Sequence, residues 1–419
     1  MVRLDVGGEI FHAPIDKLLA VEGSLFEAEL GKHDPSRLAG KTLQIARTMP
    51  HFKTIMRWLR DPRGTPLPHD DPTFMLDAAY FGMALALAPS ATMVVAGGWC
   101  GLSGVTAAVE CYDLETKRWS NAGALLGKRS YHASALLGGD VYVAGGEQAD
   151  NSEQAGTATA EVLRYDAKRA VWKQCASMVG PRHGVALVAA NRSLYAIGGI
   201  SGSSRKCKSR VERYTLSDGR WRKVASLPAP RSGMAAAALQ GSIYVVGGWD
   251  GRACLTSVLR YDCAANEWSE VAPMQKARYG LSCCAVGGML YAIGGGVRVE
   301  EESDPTAGDP ADGGGGAADG GSRTKSTQKK KHTKITVLDV VEVFDPKTGR
   351  WKTGVPLEVP RMCAASAAYK GRIYVCGGQD AGKAPLDRVE IFSTSSKTWR
   401  AGVSMVEPRT AHTMAFMPS

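Results

Sequence analysis

Short apolar runs closed by a pair of glycines recur along most of this chain, and Leu239-Gln-Gly-Ser-Ile-Tyr-Val-Val-Gly247-Gly248 is representative. The pair falls at Gly97/Gly98, Gly145/Gly146, Gly198/Gly199, Gly247/Gly248, Gly294/Gly295 and Gly377/Gly378, in steps of 48, 53, 49, 47 and 83 residues. Three further marks keep their offsets. An arginine stands 16 residues before five of the pairs, at Arg129, Arg182, Arg231, Arg278 and Arg361, and a sixth, Arg409, has no pair after it. An aromatic in a β-like run follows each pair, at Tyr112, Tyr165, Tyr214, Tyr261, Phe344 and Phe392. A tryptophan comes 7 residues later, at Trp119, Trp172, Trp221, Trp268, Trp351 and Trp399.

A unit of about 50 residues with four short β-rich runs fits a β-propeller blade, a small twisted sheet that buries its faces only against its neighbours. The glycines end the second strand where the chain turns with positive φ or another backbone comes close. Across residues 93–417 the marks resemble the kelch repeat, which implies an all-β six-bladed propeller. The first unit opens at Met93 with no arginine strand before it, and Arg409–Met417 is an arginine strand with nothing behind it. The two are complementary, so the C-terminal strand is expected to complete the first blade.

Residues 1–84 lack the repeat. Val2–Val6 and Glu9–Phe11 read as a hairpin around Gly7-Gly8, and Thr42–Ala46 reads as a third strand. Asp16–Ala20, Ser24–Leu30, Pro50–Leu59 and Phe74–Phe81 have helical spacing. This predicts a small α+β domain, followed by a linker over 85–92. The series Val6-Gly7-Gly8, Phe11, Pro50-x-Phe52, Ile55, Leu59-Arg60, Gly64 and Ala79-Tyr-Phe-Gly82 resembles a BTB/POZ domain of the potassium-channel tetramerisation type. Such a domain implies self-association.

Charge changes the picture modestly. The chain of 419 residues carries a net +10, and residues 1–82 hold 10 Lys/Arg against 11 Asp/Glu, so the remainder carries +11. An acidic target would be attracted. Nucleic acid is not expected as a partner, because the basic residues are scattered and no nucleic-acid module is present. No apolar run approaches the ~18 residues of a membrane span, and the start Met-Val-Arg-Leu-Asp has no apolar signal segment, so a cytoplasmic place without a membrane partner is expected. Ten cysteines without a Cys-x-x-Cys pair fit a reducing compartment and argue against zinc.

The 83-residue step comes from an insertion, Arg298–Lys334, with seven acidic and seven basic residues and almost no apolar ones. It reads as a disordered loop. Its basic run Lys329–Lys334 reads as a solvated charge run, with a nuclear address as the alternative.

Catalytic chemistry finds little to stand on: there is no phosphate-binding loop, no metal spacing among the histidines and no convergent acid and base. The expectation is a protein that is not an enzyme and needs no cofactor or metal. Binding is better founded. In a four-stranded blade the loop entering the first strand and the loop joining the second and third open on one face, so the arginine and the glycine pair mark the same mouth. The six arginines, Arg129, Arg182, Arg231, Arg278, Arg361 and Arg409, read as frame, with Glu110, Glu212, Glu342 and Glu390 available to pair with them. The positions just after each mark differ between blades. Resemblance to kelch substrate adaptors implies that these line a target-binding mouth: Trp99, Ser130, Tyr131, His183, Ser232, Trp249, Tyr279, Met362, Gln379 and Thr410. Cys207, in Arg205-Lys206-Cys207-Lys208, is a candidate reactive thiol because positive neighbours lower a thiol pKa.

The resemblance as a whole implies a substrate adaptor of a cullin-RING ubiquitin ligase, with the BTB domain for assembly and cullin binding and the propeller for the target protein. A structural scaffold on actin or an endocytic coat is the alternative.

Overall fold

The computed structural model describes the chain except residues 20, 22–23, 31–37, 39–41, 46–49, 63, 69–70, 72–73, 75–76, 79–80, 82, 84–89, 149–155, 168, 203–205, 303–330 and 419. Near the N-terminus, Val2–Val6 pairs antiparallel with Glu9–Ala13 and parallel with Thr42–Ile45. The hairpin turn needs its glycines: Gly7 and Gly8 have φ of 58° and 91°, the left-handed pair that a two-residue turn matched to strand twist demands. Phe52–Arg60 buries Phe52, Ile55, Met56 and Leu59 on one face, as helical spacing dictates. Phe26 and Phe52 meet Phe81 with ring centroids 5.0 and 5.1 Å away, and these rings centre a core that includes Val2, Leu4 and Val6.

From Ala91 onward the described strands form six four-stranded antiparallel sheets, with five further strands in two small sheets outside them. Blades 2 to 6 begin at Ala133, Ala186, Ala235, Ser282 and Ala365 and run outward from the first strand to the fourth. Blade 1 is assembled from both ends of the repeat. Ala91–Ala96, Ala108–Asp113 and Arg118–Ala124 supply three strands, and Thr413–Pro418 pairs with the first of them, Thr413 opposite Ala96 and Met417 opposite Thr92. The strand starts at Ala91, so residues 91 and 92, expected in the linker, belong to the sheet. Each innermost strand adjoins the next, and Thr413–Pro418 adjoins Ala133–Leu137, which closes the circle.

The tryptophan offset has a simple origin. Seven residues span a hairpin such that Tyr214 lies opposite Trp221 and Tyr261 opposite Trp268, and the six aromatic pairs have centroids 4.8–5.4 Å apart. Five indoles then reach the preceding blade: Trp221 Nε1 donates to the Ala176 carbonyl at 2.9 Å, Trp268 to Ala225 at 2.8 Å, Trp351 to Ala272 at 2.8 Å, Trp399 to Val355 at 2.9 Å and Trp119 to Val403 at 3.0 Å. Five of the six blade junctions are thus cemented by an aromatic pair with a polar tip, and at the sixth the buried Trp172 indole N–H has no acceptor among the described residues.

The reading of Arg298–Lys334 as disordered is corrected at both ends. Gly296–Glu302 and Lys331–Val337 form an antiparallel ribbon, from Gly296 opposite Val337 to Glu302 opposite Lys331. Val297, Val299, Ile335 and Val337 give its base β-branched residues, which favour the extended state, and composition averaged over the insertion hides them. The remainder, 303–330, with Lys329 and Lys330 of the basic run, lies outside the described residues. Among the described residues no helix is long and apolar enough to cross a membrane.

Candidate functional site: the propeller mouth

The arginines hold the frame of the mouth. All six are buried, and each sends Nη1 to the carbonyl of the first glycine 16 residues on, or, for Arg409, of Gly97 across the closure, at 3.0–3.4 Å. Four of them pair with the anticipated carboxylates: Arg182 with Glu212 and Arg278 with Glu342 at 2.8 Å, Arg361 with Glu390 at 2.5 Å, and Arg409 with Glu110. Arg129 instead uses Glu161 at 2.8 Å, four residues before Tyr165 where the others stand two before their aromatic. Arg231 bonds the Ser257 hydroxyl at 3.2 Å and the Gly247 carbonyl. Burial pulls the pKa values of Arg129, Arg182, Arg231, Arg278 and Arg361 down, that of Arg182 to about 10, which still leaves the Arg182 guanidinium charged at neutral pH.

The glycines let neighbouring blades meet. The second glycine of each pair donates its N–H to the next blade's arginine carbonyl, as Gly248 does to Arg278 at 2.9 Å. A Cβ on Gly247 would lie 2.7 Å from that oxygen and one on Gly248 2.8 Å from the Ser232 carbonyl, closer than any side chain tolerates.

Above this frame the two sets of variable positions join by backbone pairing, blade by blade: Ser130 with Glu147, His183 with Ile200, Ser232 with Trp249, Tyr279 with Gly296, Met362 with Gln379 and Thr410 with Trp99. The next residues form a closed collar around the channel. Gly184 N donates to Tyr131 O at 2.8 Å, Gly233 to Gly184 at 3.0 Å, Gly280 to Gly233 at 2.7 Å, Cys363 to Gly280 at 2.7 Å, Ala411 to Cys363 at 3.0 Å and Tyr131 to Ala411 at 2.9 Å. All six have φ between 52° and 60°, the left-handed region in which three of them are glycine. Beyond the collar the innermost strands enclose a cavity of about 300 Å³, walled by small residues such as Ala135, Ala237, Cys283 and Ala367.

The side chains do not all reach the surface. Ser130, Ser232, Met362 and Thr410 are buried at 2–4% exposure, which removes them from the target-binding set: the bridge that aligns them also packs them beneath the mouth. Trp99, His183, Trp249, Tyr279 and Gln379 are half-buried, and Tyr131 is 42% exposed. Tyr131 and His183 face each other at 6.3 Å, with His183 Nδ1 3.4 Å from Glu147 Oε1.

Cys207 is corrected as well. Its thiol points inward to the Ser232 hydroxyl at 3.6 Å and the Trp249 carbonyl at 3.4 Å, and burial pushes its pKa up. Its basic sequence neighbours do not make it reactive. In the collar, burial raises Cys363 to about 12, which leaves it equally inert. Among the described residues no group of His, Cys, Asp and Glu could hold a metal ion.

Sequence reasoning missed Arg298. Its guanidinium carbon lies 4.9 Å from the centre of the Trp249 ring and 5.9 Å from that of Tyr279. No spacing could have found it, because it belongs to the ribbon and not to the repeat. The collar did leave a signal, since Gly184, Gly233 and Gly280 each stand two residues after an arginine.

Comparison with known proteins supports this reading of the repeat. Residues 82–296, just over half of the chain, match the KLHDC2/KLHL20/DRC7 Kelch-repeats domain, and residues 360–406 match the Kelch motif. Kelch-like protein 36 of Rattus norvegicus is 36% identical over 91 residues, 21% of this chain and 14% of that protein. Kelch-like protein 25 of Xenopus tropicalis is 31% identical over 101 residues, 24% of this chain and 16% of that protein. The matched stretches therefore span about one-seventh of these relatives. The solved structure titled "Structure of YjhT" superposes with a TM-score of 0.58 at 16% identity, covering 75% of this chain and 99% of that one, which speaks for the fold alone.

Proposed function

This chain belongs to the kelch-repeat family, and on that premise we propose that it is a non-enzymatic substrate adaptor of a cullin-RING ubiquitin ligase. In this reading the mouth captures a target protein, and residues 1–84, read as a BTB/POZ domain, assemble the chain with copies of itself and bind the cullin. The observation that carries it is the division of labour at the mouth. The arginine side chains and the backbones of the glycine and collar positions are consumed by internal bonds, whereas the side chains of Trp99, Tyr131, His183 and Gln379 differ from blade to blade and retain exposed surface. A rigid rim carrying variable aromatic and polar groups is suited to protein recognition. The three-stranded sheet and phenylalanine core near the N-terminus support an α+β unit, as a BTB domain requires.

Affinity purification of the full chain tests this. A cullin and one or a few targets should co-purify with the parent chain, and Tyr131→Ala combined with Trp99→Ala should lose the targets while keeping the cullin. Absence of any cullin, from a chain that still self-associates, would remove the ligase from the account.

A further inference from the structure

Trp249 and Tyr279 stand on adjacent blades and are fixed by their backbones. Trp249 exchanges two hydrogen bonds with Ser232, both 2.9 Å, and pairs on its other side with Cys254. The turn after it is tied down by Asp250, whose carboxylate accepts the N–H groups of Arg252 and Ala253 at 2.7 and 2.8 Å. Tyr279 exchanges hydrogen bonds of 3.0 and 2.8 Å with Gly296. Two rings thus held form a preorganised aromatic surface, and a planar guanidinium is the cation that stacks on such a surface most readily. Arg298, exposed on the ribbon, places its guanidinium over both rings. The Trp249 indole N–H is buried and has no acceptor among the described residues.

We propose that Trp249 and Tyr279 form a guanidinium-binding cradle in the mouth, occupied by Arg298 of the same chain, and that a target docks by inserting an arginine side chain in its place. The inference rests on the mouth being a target-recognition surface and names what it would recognise: a peptide segment carrying arginine. Arg298 is a tethered competitor. At the roughly millimolar effective concentration that a short tether supplies, it lowers the apparent affinity of any incoming arginine and makes the cradle selective for targets with further contacts.

The test uses the full chain labelled with 5-fluorotryptophan, the Trp249 resonance being assigned by its loss in Trp249→Phe. It is titrated with a tetra-arginine peptide and with a tetra-citrulline peptide, which keeps the shape and lacks the charge. Arg298→Ala should bring the tetra-arginine midpoint at Trp249 down by about tenfold relative to the parent, Arg298→Gln should act in the same direction, and Tyr279→Ala added to Arg298→Ala should reverse the gain. The citrulline peptide should leave the resonance in place. An unchanged midpoint in both Arg298 variants, or equal response to citrulline, would overturn the proposal. That failure is separable from failure of the adaptor reading, which concerns co-purified cullin and targets and not this resonance.

Discussion

Arg278→Ala and Arg231→Ala remove the same side chain from equivalent places in two blades and should not cost the same. The side chains of Arg278 and Glu342 are 0% and 1% exposed, and among the described residues the carboxylate is compensated by the 2.8 Å contact between them and by two backbone N–H groups, those of Gln275 and Lys276. Removing the arginine leaves a buried charge without its partner, which costs about 3–5 kcal/mol. Among the described residues Arg231 bonds neutral acceptors, the Gly247 and Ser257 carbonyls at 3.2 and 3.4 Å and the Ser257 hydroxyl at 3.2 Å, and the carboxylates that act on it, Glu270 and Asp250, do so without a hydrogen bond. Its loss leaves unmet polar groups and no stranded charge, a cost of about 1–3 kcal/mol. The difference, about 2 kcal/mol, should appear in urea unfolding of the full chain followed by tryptophan fluorescence. The double change Arg278→Met with Glu342→Leu should recover part of the loss, because it removes the stranded charge but leaves the Gln275 and Lys276 N–H groups and the Gly294 and Val340 carbonyls without these partners. Equal destabilisation by the two alanine variants, or a double variant as weak as Arg278→Ala, would show that the ring of ion pairs is not what the carboxylates require.

Two further outcomes follow from the closure and from a buried histidine. A chain ending at residue 408 loses Thr413–Pro418 from blade 1 together with the partner of Glu110, so its melting temperature should fall on the order of 10 °C or more, and a fall of only a degree or two would mean that the ring does not depend on that strand. His132 is buried with Nε2 3.0 Å from the Ala96 carbonyl, and burial, then the nearby Arg129, pushes its pKa down to about 3 from an ordinary value near 6.5. The unfolded chain therefore binds a proton there before the folded one does. This site's contribution is complete above about pH 6.5 and is lost towards pH 3 at up to roughly 1.4 kcal/mol per pH unit. His132→Gln should flatten the acid limb of a stability-versus-pH curve, and an unaltered limb would refute the assignment.

Much of this architecture could be read from spacing because the spacing is itself a bond. Sixteen residues separate Arg182 from Gly198 because the guanidinium reaches that carbonyl, and seven separate Tyr261 from Trp268 because they face each other across a hairpin. The split of blade 1 was visible in the same way, as an unmatched arginine strand at one end and its absence at the other. Side-chain exposure was not legible. Ser232 and Trp249 hold equivalent rights in the sequence pattern, yet one is buried and the other half-exposed, since the outcome depends on what the adjoining blade places over them. Glu161 escaped notice because Arg129 reaches a carboxylate two positions away from the repeat's usual place. Arg298 was hidden by its setting. It comes to lie over Trp249 and Tyr279 on a strand, Gly296–Glu302, that pairs with a segment on the far side of a long insertion, and composition averages that pairing away. Cys207 illustrates the converse error, in which charge read along the chain was taken for charge around the thiol.

The adaptor account makes one demand that a scaffold does not. The half-life of a protein captured by the mouth should be measured in cells after synthesis is stopped, with either the parent chain or Tyr131→Ala supplied at equal level. Tyr131 projects from the rim at 42% exposure while its backbone stays in the collar, so alanine there removes contact surface and leaves the ring bonded. The account predicts that the captured protein persists several-fold longer with Tyr131→Ala than with the parent chain, and that blocking the proteasome abolishes the difference. A target that binds the parent chain and not the variant, yet decays at the same rate with both, would contradict it.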